Sequence, residues 1–294
     1  MSESSSIQWT EATWNVSTGC TKVSPECARC YIERTPPFRM AGRKFVKGHI
    51  PIVFHEDRLT LPASWKKPRR IFVDSLSDLF HSDVPDGYLH RVYHAMESAP
   101  WHQFQVLTKR AERQRDYVNW RYGPRDDDAG SRIPARHIWH GVSVGVQSMK
   151  WRIEALRATR SVVRFVSFEP LLQDLGDLDL TGIHWAILGG ESGPRSRQCW
   201  PAWMRRIRAQ CDEQGVKVFV KQLGAHVRDR NDAGFEGDAP TSWPMDTDAE
   251  DSPNGYREEY QGAPVRVRLV DRKGGDMAEW PRDLRVREFP AGLR

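Results

Sequence analysis

Nowhere does this chain hold the roughly 18–20 consecutive apolar residues that a membrane-spanning helix needs, so a bilayer-spanning fold is not expected. Its first residues, MSESSSIQWTEATW, lack the basic and apolar regions of a secretory leader, which points to a cytoplasmic protein. No repeat of fixed period is visible, which speaks against a solenoid. Charge of one sign is not in large excess either. There are 44 Lys and Arg against 39 Asp and Glu, a net charge of +5, with both signs spread along the chain. That balance permits a nucleic-acid partner without requiring one. Cysteine is scarce, and its number, five, is odd. In a reducing compartment this excludes a disulfide framework and leaves metal binding or catalysis.

What is present is concentrated. Cys20, Cys27 and Cys30 stand within eleven residues, TGCTKVSPECARCY, spaced C-x₆-C-x₂-C. Cys199 and Cys211 lie far away.

Short apolar runs rich in Val, Ile, Phe and Trp recur along the chain. They are Ile52–His55, Ile71–Asp74, Phe104–Leu107, Ile138–Ser143, Val163–Ser167, Trp185–Leu188 and Val216–Val220, with Thr13–Val16 as an eighth short candidate. Helical patterns fall between several of them. Asp86–Glu97 gathers Leu89, Val92, Tyr93 and Met96 on one face. Ser148–Ala158 gathers Trp151, Ala155 and Leu156, with Ser148 placed to cap. Trp200–Gln214 opens with Pro201 and stops at Gly215. Strands alternating with helices imply βα units and a parallel sheet. The count and length fit an α/β fold, a full or partial (β/α) TIM-like barrel, with a doubly wound sheet as the alternative. Residues 228–263, rich in Asp, Gly, Pro and Asn, read as a polar surface insertion. After it, Val265–Val270 alternates and turns at Gly274–Gly275, predicting a hairpin closed by RDLRVREFP. The expected division is 1–35, the cysteine-loop segment of the barrel; 36–225, the barrel; and 226–294, the insertion with a small β-rich appendage.

Each apolar run ends in small or polar residues. Ser75 and Asp78 follow Ile71–Asp74, Thr108 and Lys109 the next run, then Ser143, then Ser167 and Glu169, then Gly189, Gly190 and Glu191, and finally Lys221. In a parallel barrel all these ends face one rim, where active sites are built. Any one of them is explained by strands running into wet loops. The set is less easily explained so, because Lys109, Glu169, Glu191 and Lys221 are charged at the strand tip itself. The Gly189-Gly190 pair calls for close approach of something to the backbone.

Three thiolates can serve zinc or an iron–sulfur cluster. On a cubane they leave one iron without a protein ligand, open to the amino and carboxylate groups of a cofactor such as S-adenosylmethionine. Alternatives stay open at this point: a Cys₃His zinc site using His55 or His81, or a structural cluster with a fourth protein ligand.

A cysteine triplet opening a (β/α) barrel resembles the radical S-adenosylmethionine superfamily. More narrowly, TWNVSTGCTKVSPECARCY, IFVDSLSDLFH, LTKR, GVSV, SFEPLL, ILGGESGP, VFVKQLG and WPRDLRVREFP resemble a phage and bacterial family of unknown function whose hallmark is this three-cysteine segment. The resemblance implies a 4Fe–4S cluster on Cys20, Cys27 and Cys30, with S-adenosylmethionine as co-substrate. The superfamily spaces its cysteines C-x₃-C-x₂-C and places an aromatic residue before the last. Here the first gap is six, Arg29 holds the aromatic position, and Tyr31 is the substitute for stacking on adenine. By the same analogy Gly189, Gly190 and Glu191 cradle the methionyl amino group.

The expected roles follow. Ser75, Asp78, Ser143 and Ser167 bind polar groups of cofactor or substrate. Lys109 and Lys221 bind a carboxylate or phosphate. Glu169, Glu191 and Lys109 are the candidate catalytic groups. The competing reading is a nucleic-acid-binding or processing protein with a structural zinc or iron–sulfur site, using Lys66–Arg70, Arg205–Arg208 and some of the twelve tryptophans. Both readings allow nucleic acid or a further protein as partner, and neither involves a membrane.

Overall fold

The computed structural model describes residues 5–124, 133–230 and 264–290. In chain order the strands and helices are β1 (Ala12–Trp14), β2 (Ser17–Thr21), α1 (Pro36–Met40), β3 (His49–Phe54), α2 (Leu61–Ser64), β4 (Arg70–Val73), α3 (Asp86–Glu97) and β5 (Gln103–Thr108). There follow α4 (Ala111–Tyr122), β6 (Ile138–Ser143), α5 (Trp151–Arg157), β7 (Arg164–Phe168), β8 (Trp185–Gly189), α6 (Pro201–Glu213), β9 (Lys217–Gln222), β10 (Val227–Arg230) and β11 (Pro264–Val267).

Seven strands form one wholly parallel sheet in the order β1-β4-β5-β6-β7-β8-β9, a partial (β/α) barrel whose end strands do not pair with each other. Its strands are buried on both faces, fully so in β6 and β8, as a sheet with helices outside and a filled concavity requires. Period-2 alternation divides the side chains. Ile71, Val73, Val142, Val166, Ala186, Leu188, Val218 and Val220 meet the helices. Phe72, Trp139, Phe165, Trp185, Ile187 and Phe219 point into the concavity and, with Trp9, fill its floor with aromatic rings. The helices dock by apolar stripes: Leu89, Val92, Tyr93 and Met96 on α3, and Trp203, Met204, Ile207 and Cys211 on α6.

Three expectations are corrected. Ile52–His55 is not a barrel strand. It lies at the end of β3, which pairs antiparallel with β2 in a separate ribbon. Its burial alternates and one face is exposed, unlike a strand covered on both sides. Ser148 is not a cap: a 3-10 turn, Gln147–Met149, precedes α5, and Trp151 faces outward at 43% exposure while Ala155 and Leu156 are buried. The C-terminal hairpin is not closed by RDLRVREFP. β11 pairs antiparallel with β10, so the ribbon joins residues on either side of 231–263, most of the predicted insertion, which lies outside the described residues. RDLRVREFP instead runs beside β9, where Val220 N–H donates to Val286 O and Glu288 N–H to Val218 O. It protects what is otherwise an exposed edge.

Candidate functional site

The cysteine segment crosses the C-terminal rim of the partial barrel. Cys20 lies on β2, just after a bulge between Thr18 and Cys20. Gly19 makes the bulge possible. Its φ is 117°, and a Cβ there would fall 2.2 Å from Pro51 O. Cys27 closes the 3-10 turn Pro25–Cys27, and Cys30 precedes the turn Tyr31–Arg34. All three thiols are free and half-buried. Cys20 and Cys30, with Phe45 and Leu76, pack on Ile32, Phe38 and Ile50, which shield that side from water.

The loop is pinned to the barrel by charge. Glu26, between Cys20 and Cys27, accepts the Gly145 N–H at 3.0 Å and an Arg152 guanidinium N–H at 3.3 Å, both side chains being essentially inaccessible. Burial alone would raise the Glu26 pKa. Hydrogen bonds from Ser24 and Gly145, with the Arg152 charge, hold it below the usual carboxylate range.

Arg110 bridges loop and strand. It donates to Asp78 Oδ2 at 2.8 Å and Thr21 O at 3.0 Å, and lies 3.9 Å from Cys20 Sγ. Asp78 also accepts from Thr108, Lys109 N–H and Phe80 N–H. Burial opposes its charge, but Arg110 and these donors keep its pKa low. Its carboxylate is thus committed to holding Arg110 against Cys20. Burial pushes the Cys20 thiol up to about 12, with Asp78 adding and Arg110 opposing, and burial raises Cys30 too. Free of metal these are thiols, so a bound metal must displace their protons.

The strand-end residues converge as the register requires. Lys109 Nζ donates to Ser143 Oγ at 3.3 Å, and its charge reaches Cys30. Lys221 Nζ lies 2.5 Å from Glu169 Oε1. The half-exposed Tyr31 donates its hydroxyl to Ser75 O, within electrostatic reach of Cys30, Glu169, Cys20 and Asp74. Ser75 Oγ donates to Asn15, and Ser167 is buried on β7. These groups therefore share one mouth above the aromatic floor.

Two expected contacts take another form. What approaches Gly190 is the chain itself: a Cβ there would fall 2.1 Å from Leu223 O, and the Gly190 N–H and O both bond to Gln222. The Glu169 side chain packs on Gly189. Glu191 is gripped by Arg197, which reaches Oε1 at 2.6 Å and Oε2 at 3.0 Å, while Arg29 stands 4.0 Å away. As an acid or base it must first leave that fork. Sequence reading passed over Arg110, Arg152 and Arg197. Only Arg110 carried a local signal, as the last residue of the strand-end run LTKR.

No three metal-ligating atoms that include a cysteine come within 4.8 Å of one another among the described residues. One tetrahedral zinc would draw its thiolates to about 3.8 Å, given Zn–S bonds of about 2.3 Å. His81 Nε2 bonds Thr21 and His55 Nε2 bonds Thr18, and neither histidine joins a cysteine in a group of three ligand atoms within 4.8 Å. His49, His81 and Asp83 do come within 4.8 Å, but the Thr21 hydroxyl already joins the two imidazoles. At least one pair of the three thiols is therefore farther apart than 4.8 Å.

Asp74, just after β4 at φ 63°, adds a buried carboxyl beneath the loop, accepting Ser17 N–H at 2.9 Å and Ser17 Oγ–H at 2.5 Å. Burial raises its pKa from 3.8 to about 7 despite the Ser17 bonds. Across that window the folded state binds more protons than the unfolded chain, so stability falls as pH rises from about 4 and levels off above about 7, by on the order of 4 kcal/mol. Asp74→Asn cannot titrate. Urea denaturation is expected to show the variant gaining on wild type from about pH 4 to about pH 7 and holding a constant difference above. A pH-independent difference between the two would contradict this.

The sequence model of one family, described as Protein of unknown function (DUF5131), matches residues 4–275. No curated protein matches the sequence. A solved structure titled "Spore photoproduct lyase complexed with dinucleoside spore photoproduct" is similar at TM-score 0.38 and 14% identity, over 73% of this chain and 64% of that one. The chain thus spans less than two thirds of that protein, and a likeness so loose has no bearing on chemistry. No helix among the described residues is long and apolar enough to cross a membrane.

Proposed function

The chain belongs to the DUF5131 family of unknown function, and from that premise we propose that it is an iron–sulfur enzyme of the radical S-adenosylmethionine type. The observation that carries this reading is the meeting of three free thiols, on one short segment, with polar strand ends at the mouth of a partial (β/α) barrel. Cys20, Cys27 and Cys30 would hold a 4Fe–4S cluster. With S-adenosylmethionine bound, such a cluster supplies reductive cleavage to a 5′-deoxyadenosyl radical.

The chain's own residues do the rest. The apolar wall of Ile32, Phe38 and Ile50 excludes water from the thiol side. Arg110 sets positive charge against Cys20 and offsets thiolate charge there. Tyr31 offers an aromatic face at the rim, and Ser75, Ser143 and Ser167 offer hydroxyls. Gly189, Gly190 and Glu191 form the lip at the end of β8, where Glu191 anchors Arg197. Asp78 keeps Arg110 aimed. The Lys109 ammonium at the mouth bonds only to the neutral Ser143 hydroxyl among the described residues, and suits a carboxylate or phosphate. An anion arriving at Lys221 competes with Glu169 and releases that carboxylate to take or hold a proton.

Protein purified without oxygen is expected to be brown and to contain iron and acid-labile sulfide in equal amounts. Reduced with dithionite, it should release 5′-deoxyadenosine from S-adenosylmethionine. Zinc without iron would remove the whole reading. A cluster that yields no 5′-deoxyadenosine would remove the radical step alone.

A further inference from the structure

Beside the mouth the molecule has a second opening. The loop after β8, from Gly193 to Ser196, the turn after β9, from Gly224 to His226, and the stretch from Arg266 to Arg272 wall a cavity of about 710 Å³. Arg195, Arg266, Arg268 and Arg272 line it, against one acid, Asp271. That acid is already engaged, since its two oxygens accept the N–H groups of Lys273 and Gly275. Arg195, Arg266 and Arg272 are exposed, and their side chains make no hydrogen bond or ion pair among the described residues. Several surface arginines elsewhere pair with acids: Arg197 with Glu191, Arg206 with Asp174 and Asp177, Arg157 with Glu154 and Asp179. Three guanidinium groups from two segments around one cavity, unpaired among the described residues, are therefore a local excess of positive charge. Arg195 stands at φ 58°, a region that favours glycine, in the turn begun by Gly193 at φ 99°.

The excess continues toward the cysteines. Arg34 packs against Gly193 and donates to Ser192 O at 3.5 Å, and Arg29 lies beside Glu191. Both belong to the cysteine segment. A line of positive charge thus runs from the cavity to the mouth. Guanidinium forks match phosphate geometry. Cations spaced along a path suit a chain of phosphates, where one small anion would engage only part of them.

We propose that this cavity binds successive backbone phosphates of a single-stranded nucleic acid and so presents the neighbouring nucleotide to the mouth. A base inside a duplex stack could not reach such a recess without being flipped out. The presentation of that nucleotide rests on the mouth being the reactive site, as proposed above; the binding does not.

The test is fluorescence anisotropy with a labelled single-stranded DNA of about 15 nucleotides, across a salt series. It compares wild type with Arg195→Asn/Arg266→Gln/Arg272→Gln. Asn tolerates the left-handed backbone, and all three side chains are uncommitted, so the variant should melt with wild type. We expect binding at least about tenfold weaker, and a plot of log affinity against log salt that is shallower by about 2, the loss of three phosphate contacts on a single strand. Wild-type affinity in the variant, no binding by wild type, or displacement of the strand by an equal concentration of nucleoside monophosphate would each overturn the proposal. Iron is assayed on the same samples. Iron without strand binding overturns this inference alone. Strand binding that depends on the arginines in iron-free wild type supports it and overturns the cluster reading alone.

Discussion

Serine in place of Cys20, Cys27 or Cys30, one at a time, is expected to reduce the iron and sulfide of anaerobically prepared protein to background. The effect should be large because no spare ligand stands by. Among the described residues no compact group of three His, Cys, Asp or Glu ligand atoms includes a cysteine. A serine hydroxyl is a far poorer iron ligand than a thiolate, and two remaining thiolates would leave the cluster open to solvent. The other two cysteines are the control. Cys199 and Cys211 are 1% and 0% exposed in the apolar layer between sheet and helices, where burial pushes both thiols up to about 12. Alanine at either should leave iron content untouched and lower stability by about 1 kcal/mol, the cost of a small buried volume. Equal iron loss from all five substitutions would show that iron follows general folding, and the assignment to the triplet would fail.

Breaking the Glu26–Arg152 pair is expected to lower stability by about 3–5 kcal/mol for either single replacement. Arg152→Met leaves a carboxylate with the Gly145 N–H and no countercharge in a site closed to water. Glu26→Leu strands a guanidinium whose Nε already lacks a partner. Urea denaturation measures the loss. The double replacement should cost less than either single change, because no unpaired charge stays buried. The same variants test the anchoring role. Glu26 sits in the six-residue gap between Cys20 and Cys27, so the single variants should also retain less iron under conditions where they remain folded. Unaltered iron together with a stability change under about 1 kcal/mol would show that the loop holds its shape without this pair.

The barrel strands were legible because burial on both faces makes each a compact run of β-branched and aromatic residues closed by a polar tip. β5, β6 and β8 lie close to where that pattern puts them. α3 and α6 were legible because their apolar stripes keep the 3.6-residue period. β3 misled because HIPIVF has the same residue types, and only its half-exposed face distinguishes a ribbon from a barrel strand. The pairing of β10 with β11 could not be seen locally, since its two halves are separated by residues 231–263.

The order of residues alone determined the cysteine spacing, the parallel βα alternation and the charged or hydroxylated tips of the strands. These depend on neighbours a few positions away and on the two-residue period of a pleated chain. Tertiary structure alone decided how the charges are shared out. It committed Asp78 to Arg110, Glu191 to Arg197 and Glu26 to Arg152, and left Arg195, Arg266 and Arg272 facing one cavity. The reason is physical: a charge finds its partner through space, across separations of 6 to 126 residues in these pairs, and no local pattern records which acid each arginine will meet.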